Sequence, residues 1–166
     1  MTVVPEPGLS RDAGAAGGLN PALRHAQAVA MDGSAARLLI VPADLPLIEP
    51  ADVAALLDAA GGAATIIAPD RAASGTNALL LGPPAAVEPS FGEGSFARHR
   101  GSIAAAGLTC SVVSRPGLAL DLDTPTDVAM LLAVSRASRA SRLLRLLDVT
   151  PRLEAVLTAQ ARSTTT

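Results

Sequence analysis

Short runs rich in Leu, Ile and Val recur along this chain at Arg37 to Val41, Thr65 to Ala68, Asn77 to Leu81 and Leu108 to Val113, and Ala-rich stretches of helical character separate them. A strand that is apolar along its length must be covered on both faces, so the alternation predicts an α/β fold with a sheet between helices. Helix punctuation agrees. Pro21 opens a helix to about Met31 that Gly33 ends, Pro50 to Ala60 is stopped by Gly61-Gly62, and Ser95 to Ala106 is a third. In Thr124-Pro125-Thr126-Asp127, Thr124 suits the N-cap, Pro125 the first helical position and Asp127 the third, where its carboxylate reaches back; that helix runs through Leu132. Residues 1–134 are then one α/β domain, with Val3 to Val4 as a strand remnant and 14–20 as a loop. Residues 135–166 are an Arg-rich helical tail closed by a Pro151-led helix.

With 166 residues, 49% of them hydrophobic, the chain can bury a core without disulfides or structural metal. The lone Cys110 reads as a buried, reduced thiol, which fits a reducing cytoplasm. Residues 1–11 lack the pattern of a signal peptide, and no apolar stretch reaches the ~18 residues a spanning helix needs, so no membrane segment is expected. The formal charge is −2, from 15 acidic residues against 13 Arg and no Lys, and two Phe are the only aromatic rings of the Phe, Tyr and Trp class. That excludes general attraction for nucleic acid and stacking on bases. An acidic small ligand must be held locally, by backbone N–H groups, Arg, or metal ions on carboxylates.

Ligands of open α/β sheets bind beyond the carboxyl ends of strands. Asp44 stands there, directly after Leu38-Leu39-Ile40-Val41-Pro42-Ala43, either as a ligand-facing carboxylate or as a turn residue before Leu45-Pro46. In Asp121-Leu122-Asp123 an extended backbone points both carboxylates the same way, with Cα atoms roughly 6.5 Å apart. Mg²⁺ would relieve their repulsion, and Thr124 leaves Asp123 free of the capping role. Gly75-Thr76-Asn77 and Phe91-Gly92-Glu93-Gly94-Ser95 are small-residue turns, the second opening a helix. They suit an anion held by free N–H groups and the Ser95 hydroxyl, or an ordinary loop with Ser95 as N-cap. Arg98, His99 and Arg100 read as a solvated face that could add positive charge nearby, and His25 has no assigned role. The Arg136, Arg139, Arg142 and Arg145 series reads as a solvated face beside Leu143, Leu144, Leu146 and Leu147.

Taken in order, Gly18-Leu19-Asn20, Pro42-Ala43-Asp44-Leu45-Pro46-Leu47, Pro69-Asp70-Arg71 with Gly75-Thr76-Asn77-Ala78-Leu79, Phe91-Gly92-Glu93-Gly94-Ser95-Phe96 and Leu120-Asp121-Leu122-Asp123-Thr124-Pro125 resemble the signature of the guanylyltransferases of coenzyme F-420 biosynthesis, over roughly Gly17 to Leu132. The resemblance implies a three-layer fold of the nucleotide-diphospho-sugar-transferase type. It also implies a reaction in which the phosphate of phosphoenolpyruvate, or of 2-phospho-L-lactate, attacks the α-phosphorus of GTP and releases pyrophosphate. By it Asp44, Asp121 and Asp123 are catalytic and ligate two Mg²⁺ ions. Thr76, Gly92 and Ser95 hold the phospho-acid, Gly18, Leu19 and Asn20 lie near the guanine or ribose, and the next enzyme of the pathway is a further partner.

The family's first strand, its nucleotide-phosphate loop with a basic residue and the following helix have no counterpart here. The expectation is a true start upstream of Met1. A remnant chain, or a second chain that completes the sheet, would account for the same gap. Two further functions stand beside the enzyme: a noncatalytic homologue that binds the phospho-acid or a pathway partner, and a related molybdenum-cofactor or sugar-phosphate nucleotidyltransferase.

Overall fold

A computed structural model of the protein describes residues 18–61, 64–134 and 138–163. Four strands, β1 (Leu38–Ile40), β2 (Thr65–Pro69), β3 (Thr76–Leu81) and β4 (Cys110–Val112), form a sheet in the order β1-β3-β2-β4. β3 runs antiparallel to both neighbours, with Leu38 opposite Leu81 and Ile67 opposite Leu79, whereas β2 and β4 are parallel. The link over 70–75 is too short for the crossover that parallel neighbours need, so β2 and β3 are a hairpin. The sheet is thus mixed.

Alternation along the strands divides the core into two layers. Ile67, Leu79 and Leu81 pack with Val87, Phe91 and Ile103, joined by Leu23, under α1 (Leu19–Asp32) and α3 (Ser95–Ala105). Ile66, Ala68, Ala78 and Leu80 pack on the other face with Leu56 of α2 (Pro50–Ala59) and Leu118 of α4 (Pro116–Ala119). Every residue of β3 is buried, as a strand covered on both sides requires. A third cluster of Leu47, Leu120 and Leu131 is covered by Ala140 and Leu144, which docks α6 (Arg139–Leu146) beside α5 (Pro125–Ala133). α7 (Thr150–Ser163) also packs on α5, so the helical tail lies against the α/β layers. Arg139, Arg142 and Arg145 are exposed as expected, and of the leucines beside them Leu143, Leu146 and Leu147 are exposed as well.

Several expectations are corrected. α1 begins at Leu19 with Gly18 as its N-cap, so Leu19 and Asn20 are helical and Pro21 is the third residue of the helix. Pro21 still fits, because the first-turn N–H it lacks has no partner within a helix. β1 and β4 are shorter than the apolar runs that predict them, and α4 and a 3₁₀ turn at Pro84–Ala86 are additional. Cys110 is only half-buried, and burial pushes its thiol up despite the nearby Arg100. The strand remnant at Val3 to Val4, residues 14–17 of the expected loop, Gly62 and Arg136 lie outside the described residues. Among the described residues no helix is long and apolar enough to cross a membrane.

Asp52 holds α2 to α4. Its carboxylate accepts from Glu49 N at 2.9 Å, at the start of α2, and from Arg115 Nε at 3.0 Å, and the side chain is 5% exposed. Gly117 lies directly on it: a Cβ at that position would collide with the Asp52 carboxylate and sit 2.8 Å from Leu47 O. Gly117→Ala is expected to lower the unfolding free energy by about 1–3 kcal/mol, because backbone and a buried carboxylate must both move. Urea denaturation of the two proteins measures it, and equal midpoints would contradict the close contact.

Candidate active site

The carboxyl ends of β1 and β2 and the start of the antiparallel β3 meet at one edge of the sheet. A cleft of about 460 Å³ opens there, and its lining includes Leu19, Asp44, Thr76, Gly92, Ser95, Asp121 and Asp123. The β2–β3 hairpin shapes its floor. Ala68 faces Ala78 and Pro69 faces Thr76, so Asn77 has no partner across the ladder. Such a bulge interrupts the alternation, and Thr76 and Asn77 both line the cleft while remaining buried. Asn77 Nδ2 donates to Leu118 O at 2.9 Å, fastening β3 to α4 just before the acidic segment.

Asp70 closes the hairpin loop by accepting from Ser74 N at 2.8 Å and Gly75 N at 2.9 Å. A Cβ on Gly75 would lie 3.0 Å from Asp70 Oδ2, so a glycine allows the carboxylate to close on the turn. Arg71 N donates to Ala119 O and Phe96 N to Ser74 O, which ties the loop to α4 and α3.

The acidic wall follows α4. Asp121 is half-buried and Asp123 exposed. Desolvation lifts the Asp121 pKa above its ordinary value, and the charges of Asp123 and Asp70 add to that, opposed by a backbone amide and the Asn77 amide. Thr124 and Asp127 make the expected capping box, with Thr124 N 2.9 Å from Asp127 Oδ2, so Asp123 is free of the cap. Asp44 faces the same space from the turn after β1.

The opposite wall is the segment from Ser90 to Ser95. Gly92 and Gly94 have φ of 110° and 68°, where a Cβ is strained, and Gly94 rather than Ser95 is the N-cap of α3. Ser95 N and Phe96 N are already bonded to Gly92 O and Ser74 O, so this helix start does not offer the full set of free amides expected of it. Ser95 itself is buried and lines the cleft, bringing a hydroxyl to this wall. Arg98 clasps the segment, with Nε on Ser90 Oγ at 3.0 Å, Nη2 on Ser90 O at 3.2 Å and Nη1 on Glu93 O. Asn20 grips it from α1, accepting from Phe91 N at 2.7 Å and donating to Phe91 O at 3.0 Å.

Behind Thr76 lies His99, which is wholly buried and packs edge-on against Phe91 with ring centroids 5.1 Å apart. Burial, aided by the Arg98 charge, lowers its pKa to about 4. The ring is neutral at neutral pH. The solvated face expected of Arg98-His99-Arg100 is thereby corrected at His99, which lies in the core, whereas Arg98 and Arg100 are exposed and Arg98 binds the Ser90–Glu93 backbone.

Five carboxylates, Asp44, Asp70, Glu93, Asp121 and Asp123, line the cleft, and among the described residues no Arg or His joins them in the lining. A phosphate would be repelled unless cations accompany it, and hard oxygen donors suit Mg²⁺, which takes one or two protein carboxylates and completes its shell with water and substrate phosphate. Among the described residues no three His, Cys, Asp or Glu side chains converge on one preformed metal position. The donor chemistry fits the ion, with the remaining ligands left to the substrate.

Residues 12–163 match the family described as guanylyl transferase CofC like. The chain belongs to that family. It is 50% identical over 141 residues to a phosphoenolpyruvate guanylyltransferase of Rubrobacter xylanophilus, covering 79% of this chain and 69% of that protein. A protein of the same name from Sphaerobacter thermophilus is 46% identical over 111 residues, covering 67% and 54%. A 2-phospho-L-lactate guanylyltransferase of Methanothermobacter thermautotrophicus is 39% identical over 114 residues, covering 69% and 50%. The chain thus spans from half to about two thirds of the length of these relatives. A protein of Desulfovibrio desulfuricans G20 described as a nucleotide-diphospho-sugar transferase superposes with a TM-score of 0.66 at 19% identity, over 81% of this chain and 62% of that one, which shows the shared fold.

Of the residues singled out from the sequence, Asp44, Asp121, Asp123, Thr76, Gly92, Ser95 and Leu19 meet in the cleft. Gly18 and Asn20 stand beside it: Gly18 caps α1, and Asn20 spends its amide on the Phe91 backbone. The structure adds the roles of three residues that the sequence offered only within motifs or runs: Asp70 closing the hairpin loop, Asn77 fastening β3 to α4 and His99 backing Thr76. A signal for His99 existed, because Ser95, His99 and Ile103 fall at four-residue spacing on one buried stripe of α3.

A buried neutral histidine makes stability depend on acid. Its folded pKa of about 4 lies below the ordinary value of 6.5, so its contribution is complete above 6.5 and is lost as pH falls through 4. Relative to His99→Asn, the unfolding free energy is expected to drop by up to about 3 kcal/mol across that interval. Urea titrations at a series of pH values measure the difference, and parallel pH profiles for the two proteins would contradict a neutral buried ring.

Proposed function

We propose that the cleft joins GMP from GTP to phosphoenolpyruvate with release of pyrophosphate, with 2-phospho-L-lactate as the alternative acceptor, in coenzyme F-420 biosynthesis. An oxygen of the acceptor phosphate forms a bond to the α-phosphorus of GTP, the bond from that phosphorus to the β-phosphate oxygen breaks, and pyrophosphate leaves with the electron pair. The observation that carries the reading is the meeting of an acidic wall and a hydroxyl-and-glycine wall in one cleft. The names of the Rubrobacter and Sphaerobacter relatives favour phosphoenolpyruvate.

Thr76 and Ser95 would donate to acceptor oxygens, and Gly92 would let backbone approach them. Gly18, Leu19 and Asn20 would border the nucleotide, with Asn20 linking that side to Phe91. Asp44, Asp121 and Asp123 would hold Mg²⁺. The ion, when bound, supplies neutralisation of the crowded phosphates and their alignment for displacement. A reducing cytoplasm and contact with the next enzyme of the pathway belong to the same reading.

The test is pyrophosphate release that requires GTP, phosphoenolpyruvate and Mg²⁺ together. Asp44→Asn and Asp121→Asn are each expected to reduce it by roughly 10²–10³-fold, the scale of a lost electrostatic contribution. Turnover unchanged by both substitutions would remove these carboxylates from the mechanism, and turnover with another phosphate acceptor alone would replace the substrate.

A further inference from the structure

The hydrogen bonds around His99 have a single consistent direction. Its Nε2 lies 2.9 Å from Ser90 N, and a backbone amide can only donate, so Nε2 is the unprotonated, accepting nitrogen. A neutral imidazole then carries its proton on Nδ1, which lies 3.0 Å from Thr76 Oγ1. Nδ1–H donates to that oxygen, and the Thr76 hydroxyl proton must point elsewhere. No other hydrogen bond engages Thr76 Oγ1 among the described residues, and Thr76 is one of the residues that line the cleft.

We infer that His99 is a positioning residue that makes Thr76 a hydrogen-bond donor to the cleft, selecting a ligand that presents an acceptor oxygen there. The direction is set from the backbone: Ser90 N–H fixes the tautomer, the tautomer fixes the Thr76 rotor, and the rotor offers its proton to a phosphate or carboxylate. A ligand acceptor there meets the Thr76 proton, whereas a ligand donor is left only the one Oγ1 lone pair that His99 does not use. Phe91 packs on the ring, and Asn20 and Arg98 hold the segment that carries Ser90, so the relay is braced from α1 and from within α3. The low pKa, set by burial and the Arg98 charge, agrees with a ring that carries a single proton. Where the ligand is the phospho-acid, the inference rests on the acceptor site proposed above.

Two measurements on the 166-residue chain test it. The first is a long-range ¹H–¹⁵N spectrum at neutral pH, expected to show His99 with Nδ1 protonated and Nε2 bare; the opposite tautomer overturns the inference and leaves the guanylyltransferase reading intact. The second is calorimetric titration with phosphoenolpyruvate and Mg²⁺ of the unsubstituted chain, Thr76→Val, His99→Leu and His99→Asn. Thr76→Val and His99→Leu are expected to weaken binding by roughly ten- to a hundredfold, while His99→Asn, whose amide can still donate to Thr76, recovers most of it. Loss in Thr76→Val without loss in a folded His99→Leu overturns the positioning role alone. No binding to the unsubstituted chain overturns the acceptor site and this inference with it. Should His99→Leu not fold, the spectrum and the His99→Asn titration decide.

Discussion

Asn77 is the residue left over where β2 and β3 slip register, and its side chain binds Leu118 O, so one amide joins the sheet to the helix that precedes Asp121. Without the bulge, strict alternation would send Thr76 and Asn77 to opposite faces, and only one of them could reach the cleft. The hairpin loop that follows β2 is held by Asp70, the acidic wall is stabilised by Asn77, and Thr76 is backed by His99. The floor of the cleft and its link to the acidic wall therefore rest on a local irregularity in one antiparallel pair.

The walls differ in how they are kept in place. The acidic wall works against itself: burial and like charge raise the Asp121 pKa, and among the described residues no cationic side chain lines the cleft to offset it. Such an arrangement agrees with the proposed entry of phosphate together with metal. The other wall is neutral and braced. Asn20, Arg98 and His99 each satisfy backbone groups of the Ser90–Glu93 segment, so residues behind the cleft set the positions of those that line it.

The candidate site was legible to the extent that its residues sit in short motifs with their own local geometry. Asp44 follows a strand, Asp121 and Asp123 precede a capped helix, and Gly92 and Gly94 mark a turn; all these roles are written within a few consecutive residues. His99 was not legible in the same way, because its partners are Thr76 and Ser90, brought together by folding. Asn20, expected at the end of a loop, shows the same limit: only folding reveals that its amide is engaged by the distant Phe91 backbone.

By itself the sequence determined the α/β class, the two-sided burial of the strands, the capping box at Thr124 and the family signature, since each depends on spacing and on residue types that act locally. Tertiary structure alone decided the strand order, the antiparallel insertion of β3, the start of α1 and the tautomer of His99. Strand pairing and hydrogen-bond direction are settled between segments far apart in the chain, where no local propensity reaches.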